Sequence, residues 1–458
     1  MNNIILNTDS YKVSHWEQYP AGTEGVFSYI ESRGGDYNET VMFGLQIFLK
    51  EYLSKPITQE NIDEAEVFFK AHGEPFNKEG WQYILDKYDG YLPLKIKAVP
   101  EGTVVPVLNA LVTIENTDPA LFWLTSYVET ALLRAVWYGT TVSTISWNIK
   151  QVIKDYMDAT GADVSGLGFK LHDFGARGVS SGESAGIGGA AHLVNFMGTD
   201  TIQGAWTAMK YYGGDMPGFS IPAAEHSTMT SWGRENEKDA YKNMIDKYKE
   251  NGIFAVVSDS YDIFYAADVI WGQELKQDVI DSGAIVVIRP DSGDPVEVVA
   301  KLLSILDARF GSTKNARGYR LLNNVRIIQG DGINETIIRA ILERAMSMQY
   351  SADNLAFGMG GALLQGMDRD TQKWAMKCSA MKIDGEWRDV YKAPVTDTGK
   401  VSKRGRVTLV LDDYNNYRTV PEYAVGDQVE VLEVVFEDGH IVKEYSFEEV
   451  RTNSNATF

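Results

Sequence analysis

Residues 169–198, FKLHDFGARGVSSGESAGIGGAAHLVNFMG, crowd an acid, an aromatic ring and an arginine between glycines. The alternation through Phe169, Leu171 and Asp173 has the period of a half-buried strand. It breaks at Asp173-Phe174-Gly175-Ala176-Arg177-Gly178, and a Ser- and Gly-rich turn leads into a small-residue helix pattern over 183–196. Strand, flexed turn and helix N-terminus together present backbone N–H groups and a positive dipole end to an anion. Arg177 adds a planar donor fork suited to phosphate. An ordinary βα loop, whose glycines only relieve sterics, explains this segment alone equally well.

Four further segments break that tie. Apolar, β-branched runs at 253–258, 284–288, 325–328 and 355–357 end in Ser258-Asp259-Ser260-Tyr261-Asp262, Arg289-Pro290-Asp291-Ser292-Gly293-Asp294, Gln329-Gly330-Asp331-Gly332 and Gly358-Met359-Gly360-Gly361. Helical periodicity follows, as in Val296, Val299, Leu302, Leu303 and Leu306, and again in Ile337, Ile338, Ile341, Leu342 and Ala345. Asp294 and Asn334 stand where N-caps belong. Near-continuous apolar strands alternating with amphipathic helices predict a parallel sheet covered on both faces. Polar and glycine residues at successive strand ends then mark the functional rim of a β/α barrel or open α/β sheet.

HDFGARGVSS, GTDT, PAAEHST, VVSDSYDI, IRPDSGDP, IQGDG, FGMGGALLQ and MKCS, with NTDSYKVSHWEQYP near the start, resemble the nicotinamide phosphoribosyltransferase family, part of the type II phosphoribosyltransferases. The similarity runs in order from about Asn7 to Phe447. It implies an α/β protein: a central β/α barrel-like domain over 162–381 beside a β-rich α+β domain, built from 1–161 and 382–458. It also implies transfer of phosphoribosyl from 5-phosphoribosyl 1-pyrophosphate to the ring nitrogen of nicotinamide, giving nicotinamide mononucleotide and pyrophosphate. A pyridine nitrogen has a free lone pair, so this chemistry needs alignment and charge stabilisation rather than a general base. A motif set rich in Arg, Asp and Gly suits it.

Roles follow from the resemblance motif by motif. Phe174 resembles the ring that stacks on nicotinamide, with Tyr11 from a second subunit on the opposite face. Arg177 and Arg289 resemble substrate-binding arginines, Arg289 acting with Asp291 on the sugar side, and Asp262 belongs to the same substrate set. Asp200 resembles the acid that accepts a hydrogen bond from the carboxamide. Gly330, Asp331, Gly360 and Gly361 resemble loops that approach the ribose 5-phosphate. Arg33, Arg369, Lys377, Lys392 and Lys400 resemble the basic residues that a partner subunit directs at phosphates, which implies a homodimer with shared sites. His226, in Pro222-Ala223-Ala224-Glu225-His226-Ser227 after the apolar 219–221, resembles a phosphate-accepting histidine that couples ATP to synthesis. Glu225 or Asp262 would orient its ring, and the sequence does not choose between them. Magnesium is expected to be held mainly by pyrophosphate oxygens. Ala176 and Met359 depart from vertebrate members, which carry a bulkier aromatic and a small polar residue there.

Bulk properties set limits. The chain has 458 residues, 44% hydrophobic and 23% charged, an ordinary globular composition with length for two substantial domains. A net charge of −20 disfavours a general nucleic-acid or anionic-membrane surface, so a phosphate-rich substrate needs a local cluster of Arg and Lys. Cys378 is the single cysteine, which excludes an intrachain disulfide, and its setting reads as packing. No apolar run approaches the roughly 20 residues of a membrane span, no leader pattern opens the chain, and no His/Cys cluster has zinc-site spacing. A cytoplasmic location is the expectation. Trp123, Tyr127, Trp137, Tyr138 and Trp147 read as core, and short strands are expected at 26–32, 94–99, 104–108, 407–411 and 428–436. Three other readings remain: nicotinate as acceptor, a binding protein that retains the fold, and a barrel enzyme acting on another phosphorylated sugar. Asp200 disfavours the first, because an acid repels a carboxylate and accepts from an amide NH₂.

Overall fold

The apolar runs of the middle of the chain become parallel strands of one curled sheet. In the computed structural model, which describes residues 3–396 and 401–456, the spatial order is Gly198–Thr199, Leu171–Asp173, Leu355–Met359, Val325–Gln329, Ile285–Arg289 and Ile253–Val257. Every pairing within it is parallel. The segment between the two edges closes the curl: Phe219 bridges Gly198 and Ala223 bridges Ala255, both in parallel sense. The strands therefore follow one another around a ring in chain order, the first beside the last, as in a β/α barrel. Val325–Gln329 and Leu355–Met359 are buried at all but one position each, because helices cover the outside and side chains fill the inside.

The inner layer is small. Ala255, Val287 and Ile328 form a buried cluster, with Phe174, Ile221, Ile285 and Ala356 packed against it. The outer helices start where their caps dictate. Asp294 accepts from Glu297 N at 2.9 Å ahead of Pro295–Phe310, with Pro295 at the tolerated first turn. Asn334 does the same for Glu335–Ser347 through Ile337 N at 3.0 Å. One expectation fails locally: Phe169 belongs to a 3₁₀ segment, Val164–Phe169, and the strand is only Leu171–Asp173. Phe169 is exposed, so the outermost member of the alternation had no core to face.

The barrel lies in one of two compact units, Ile145–Thr207 with Asp215–Gly366; the other comprises Met1–Thr144, Ala208–Gly214 and Met367–Phe458. That second unit carries a seven-stranded sheet with Thr23–Ser32 near its centre, antiparallel to Trp374–Ile383 on one side and Ala110–Asn116 on the other. Both ends of the chain thus share one sheet, as the family resemblance implied. Leu94–Ala98 and Val407–Leu411 match their sequence patterns, and 428–436 divides into Val429–Glu430 and Glu433–Glu437. Trp123, Tyr127 and Trp147 are buried, whereas Trp137 and Tyr138 are half-buried. Among the described residues no helix is long and apolar enough to cross a membrane.

Candidate functional site

The carboxyl ends of the ring strands gather most of the residues singled out by sequence. Strand pairing sets their heights. Val257 is level with Arg289, so Asp259 and Asp291 emerge two residues further on, side by side. Asp259 Oδ2 accepts from Asp291 N at 3.1 Å and from Ser292 Oγ at 2.5 Å. Its Oδ1 meets His226 Nε2 at 2.8 Å, and His226 Nδ1 stands 3.9 Å from Asp291 Oδ2. Burial pushes the Asp259 carboxyl up, but the bonds from Ser292, His226 and Asp291 N–H outweigh it and hold the group below the usual aspartate value. Asp291 moves the other way. Burial raises it, and the charges of Asp259 and Asp331 push the same way against the opposing pull of Arg289 and His226, so that the net direction is upward.

The carboxylate on His226 is therefore Asp259, not Glu225 or Asp262. Glu225 caps the helix His226–Thr230 and takes the Ser227 hydroxyl. Asp262 is exposed and spends one oxygen on Phe264 N and Tyr265 N, at 2.9 and 3.0 Å. The signal for Asp259 was present as register: it stands as far beyond its strand as Asp291 does beyond the next. Arg289 closes its strand with Nε buried and without a hydrogen-bond partner. Gln329, one strand over, has a buried unpartnered Oε1 and donates through Nε2 to Asp331 O at 3.1 Å.

Phe174 turns back into the ring. Its N–H donates to Met359 O at 2.9 Å and its ring packs over the inner apolar layer. Asp173, fully buried behind it, accepts from Gly175 N at 2.7 Å through Oδ1, while Oδ2 has no partner. Burial, with a contribution from Asp200, lifts its pKa to about 6 against the pull of the Gly175 N–H. Asp200 is exposed at the rim. It is held by the Ser220 hydroxyl at 2.6 Å, and its own N–H donates to Asp173 O at 2.9 Å. Arg177 is exposed in the 3₁₀ turn Ala176–Gly178. Asp331 and Gly361 are exposed and Gly330 and Gly360 half-buried at the remaining strand ends.

The other unit holds the basic residues. Arg33 follows the strand Thr23–Ser32, and its Nε lies 3.3 Å from Glu31 Oε1 with Nη2 buried and unpartnered. Lys377 pairs across that strand with Tyr29. Its pKa is lowered by burial first, and then by the charges of Arg33, Lys392 and Arg369, against the opposing pull of Glu129. Lys377 thus senses three of the other predicted cations. Arg369 donates to Trp374 O at 2.9 Å and pairs with Asp370 at 3.2 Å, and the Lys392 backbone N–H donates to Ser402 Oγ at 2.9 Å. Lys400 lies outside the described residues. Tyr11 is 56% exposed, with its ring edge-on to His15, so it is no part of the core. The Cys378 thiol is pushed up to about 11 by burial, as befits packing rather than nucleophilic use.

A ring of parallel strands with polar carboxyl ends, accompanied by an antiparallel sheet made from both chain ends, is the fold of the type II phosphoribosyltransferases. A crystal structure of nicotinate-nucleotide pyrophosphorylase from Pyrococcus furiosus shares it, with a TM-score of 0.65 at 17% identity, covering 99% of this chain and 95% of that one. The chain belongs to the nicotinate phosphoribosyltransferase family, whose model matches residues 169–440, and residues 3–96 match the N-terminal domain of nicotinamide phosphoribosyltransferase. It is similar to the nicotinamide phosphoribosyltransferase of Xanthomonas campestris pv. campestris, 56% identical across 100% of this chain and 99% of the relative. The nicotinamide phosphoribosyltransferase of Acinetobacter baylyi is 33% identical across 98% and 96%. The chain is accordingly an enzyme of the pentosyltransferase class.

Proposed function

We propose that the chain transfers phosphoribosyl from 5-phosphoribosyl 1-pyrophosphate to nicotinamide, in NAD salvage. The pyridine lone pair attacks the anomeric carbon, the bond from that carbon to the diphosphate oxygen breaks, and its electron pair leaves with pyrophosphate. No proton has to be removed. The observation that carries the reading is the convergence of Phe174, Asp200, His226, Arg289 and Asp291 at strand ends of one ring. Phe174 offers a flat face to the base, an interaction of about 0.5–1.5 kcal/mol. Asp200 accepts from the carboxamide NH₂, and Ser220 holds it in place. Arg289, half-buried with an idle Nε donor, suits the anionic donor substrate. Nicotinate as acceptor is the second reading, favoured by the name of the matching family model and opposed by the charge of Asp200.

ATP assists by phosphorylating His226. Nε2–H donated to Asp259 leaves the lone pair on Nδ1, which attacks the terminal phosphorus as ADP departs. Asp259 stabilises the imidazolium so formed, and water later takes the phosphoryl group. Magnesium brought in on the diphosphate would supply charge neutralisation for the leaving group. Among the described residues no three His, Cys, Asp or Glu side chains form a metal cluster, and Asp291 and Asp331 are the carboxylates that would meet its water shell. The working unit is a homodimer, the basic set and Tyr11 of one subunit completing the rim of the other. Incubation with the phosphoribosyl donor, magnesium and either base tests the assignment. Nicotinamide mononucleotide should dominate, and equal rates on nicotinate would sink the specificity claim.

A further inference from the structure

The ring of Phe174 occupies space that a side chain on the strand Leu355–Met359 would need. A Cβ on Gly358 would stand 2.0 Å from Phe174 Cε2, 2.2 Å from Cδ2 and 2.7 Å from Cζ. Nothing about the local backbone demands glycine, since Gly358 is not among the glycines with positive φ. It is paired in register with His172 inside a regular parallel ladder. The requirement is room. Gly330, at the end of the adjacent strand, repeats it more gently, with a Cβ position 3.3 Å from Cε2 and 3.5 Å from Cδ2 of the same ring. Gly361, three residues on and beyond the strand end, has nothing within 4 Å of its Cβ position. Two glycines on neighbouring strands therefore face one ring, and a third nearby does not.

Phe174 has little freedom to yield. Its main chain is pinned by the bond to Met359 O, and Ala255, Val287 and Ile328 fill the space on the inner side. A methyl group at 358 would drive the ring away from the strand wall, toward the mouth. We propose that Gly358 is a positioning residue for the acceptor base. By leaving out a side chain it sets how deep the Phe174 ring sits, and so the height and tilt of the surface on which the base stacks. Gly330 sets the same ring from the side. This inference rests on the reading that Phe174 stacks on the base.

The test is steady-state kinetics on the full-length enzyme carrying Gly358→Ala, Gly330→Ala, Phe174→Leu and the double change Phe174→Leu with Gly358→Ala. Misplacing a binding surface by an ångström costs roughly ten- to hundredfold. Gly358→Ala should therefore raise KM for nicotinamide about tenfold or more, with KM for the phosphoribosyl donor changing much less. Gly330→Ala should raise KM for nicotinamide by a factor of about two or three, its donor KM serving as no control because Gly330 also resembles a loop that approaches the ribose 5-phosphate. In the Phe174→Leu background Gly358→Ala should add little, because the flexible side chain can move aside. Phe174→Leu with an unaltered base KM would remove the stacking role, and the proposal with it. Phe174→Leu with a raised base KM, but a folded Gly358→Ala enzyme at wild-type KM, would overturn the positioning role alone. If Gly358→Ala does not fold, Gly330→Ala decides, and a nicotinamide KM at the wild-type value counts against the proposal.

Discussion

The barrel rim and the sheet that both chain ends build are electrostatic opposites. On the rim, Asp173, Asp200, Asp259, Asp291 and Asp331 gather with Arg289 among them, and Asp173 and Asp291 are both pushed above their ordinary values, partly by neighbouring carboxylates. In the other unit burial, and then the charges of Arg33, Lys392 and Arg369, push Lys377 below its ordinary value. Each region carries more like charge than its own fold neutralises, an arrangement that stores affinity for something of the opposite sign. In a chain of net charge −20, Lys377 thus stands close enough to three other cations for their charges to lower its pKa.

The sharpest way to break this pairing is to disable each region separately. Asp291→Ala and Arg289→Ala should lower turnover by about 10² to 10³, the usual cost of losing an aligned charge at a reacting centre. Tyr11→Ala should be strongly impaired from the other side. Equal amounts of Tyr11→Ala and Asp291→Ala chains, unfolded together and refolded, should recover about a quarter of wild-type activity, because half the dimers then hold one intact site of two. No recovery in verified mixed dimers would confine each site to one chain.

A second cut separates the rim's own chemistry from the charge it shares. His226→Ala should abolish acid-labile, base-stable label from ATP and the stimulation by ATP, while slow ATP-independent synthesis persists. Asp259→Asn should reduce the label about tenfold or more, since the amide no longer fixes the tautomer or supports the imidazolium. Label that survives His226→Ala would place the phosphate elsewhere.

How much of this was legible in the sequence differs between the regions. Strand-end motifs of the ring could be read because a parallel strand buried on both faces is a continuous apolar run, and its functional residues follow at once. Asp294 and Asn334 were readable as caps for the same local reason. Asp259 stands in a legible strand-end motif, but its role is not legible there, because the contact to His226 spans 33 residues and depends on register, which no local pattern states. Gly358 was hidden as one glycine among three at a strand end; only the position of the Phe174 ring distinguishes it from Gly361. The cationic set was legible through family resemblance alone, since antiparallel pairing of residues 25–32 with 374–382 leaves no trace in periodicity.

The acidic crowding of the rim also has a stability signature. Asp173 has an ordinary value of 3.8 and is raised to about 6 in the fold. Between those values the native state holds a proton that the unfolded chain has released, so stability falls as pH rises through the window and stays reduced above it. The integrated effect is roughly 3 kcal/mol at most. Asp173→Asn keeps an acceptor for Gly175 N and removes the charge. It should raise the thermal midpoint at pH 8 and leave it unchanged near pH 4. An equal shift at both pH values would show that Asp173 is not protonated in this way.

The smallest effect tests which rim acid reads the base. Asp200 is exposed, and among the described residues the hydrogen bond to its side chain comes from the neutral Ser220 hydroxyl. It is therefore free to accept from an amide, and as an anion it repels a carboxylate. Asp200→Asn retains shape and removes charge, so it should weaken nicotinamide and relieve the repulsion of nicotinate. A hydrogen bond to a charged group contributes about 1.5–3 kcal/mol, so the ratio of kcat/KM for the two bases should narrow by roughly tenfold or more. Ser220→Ala should narrow it less, because it loosens the carboxylate without discharging it. If the ratio is unchanged in Asp200→Asn, discrimination belongs to other groups near Phe174, and the rim acids serve the donor substrate alone.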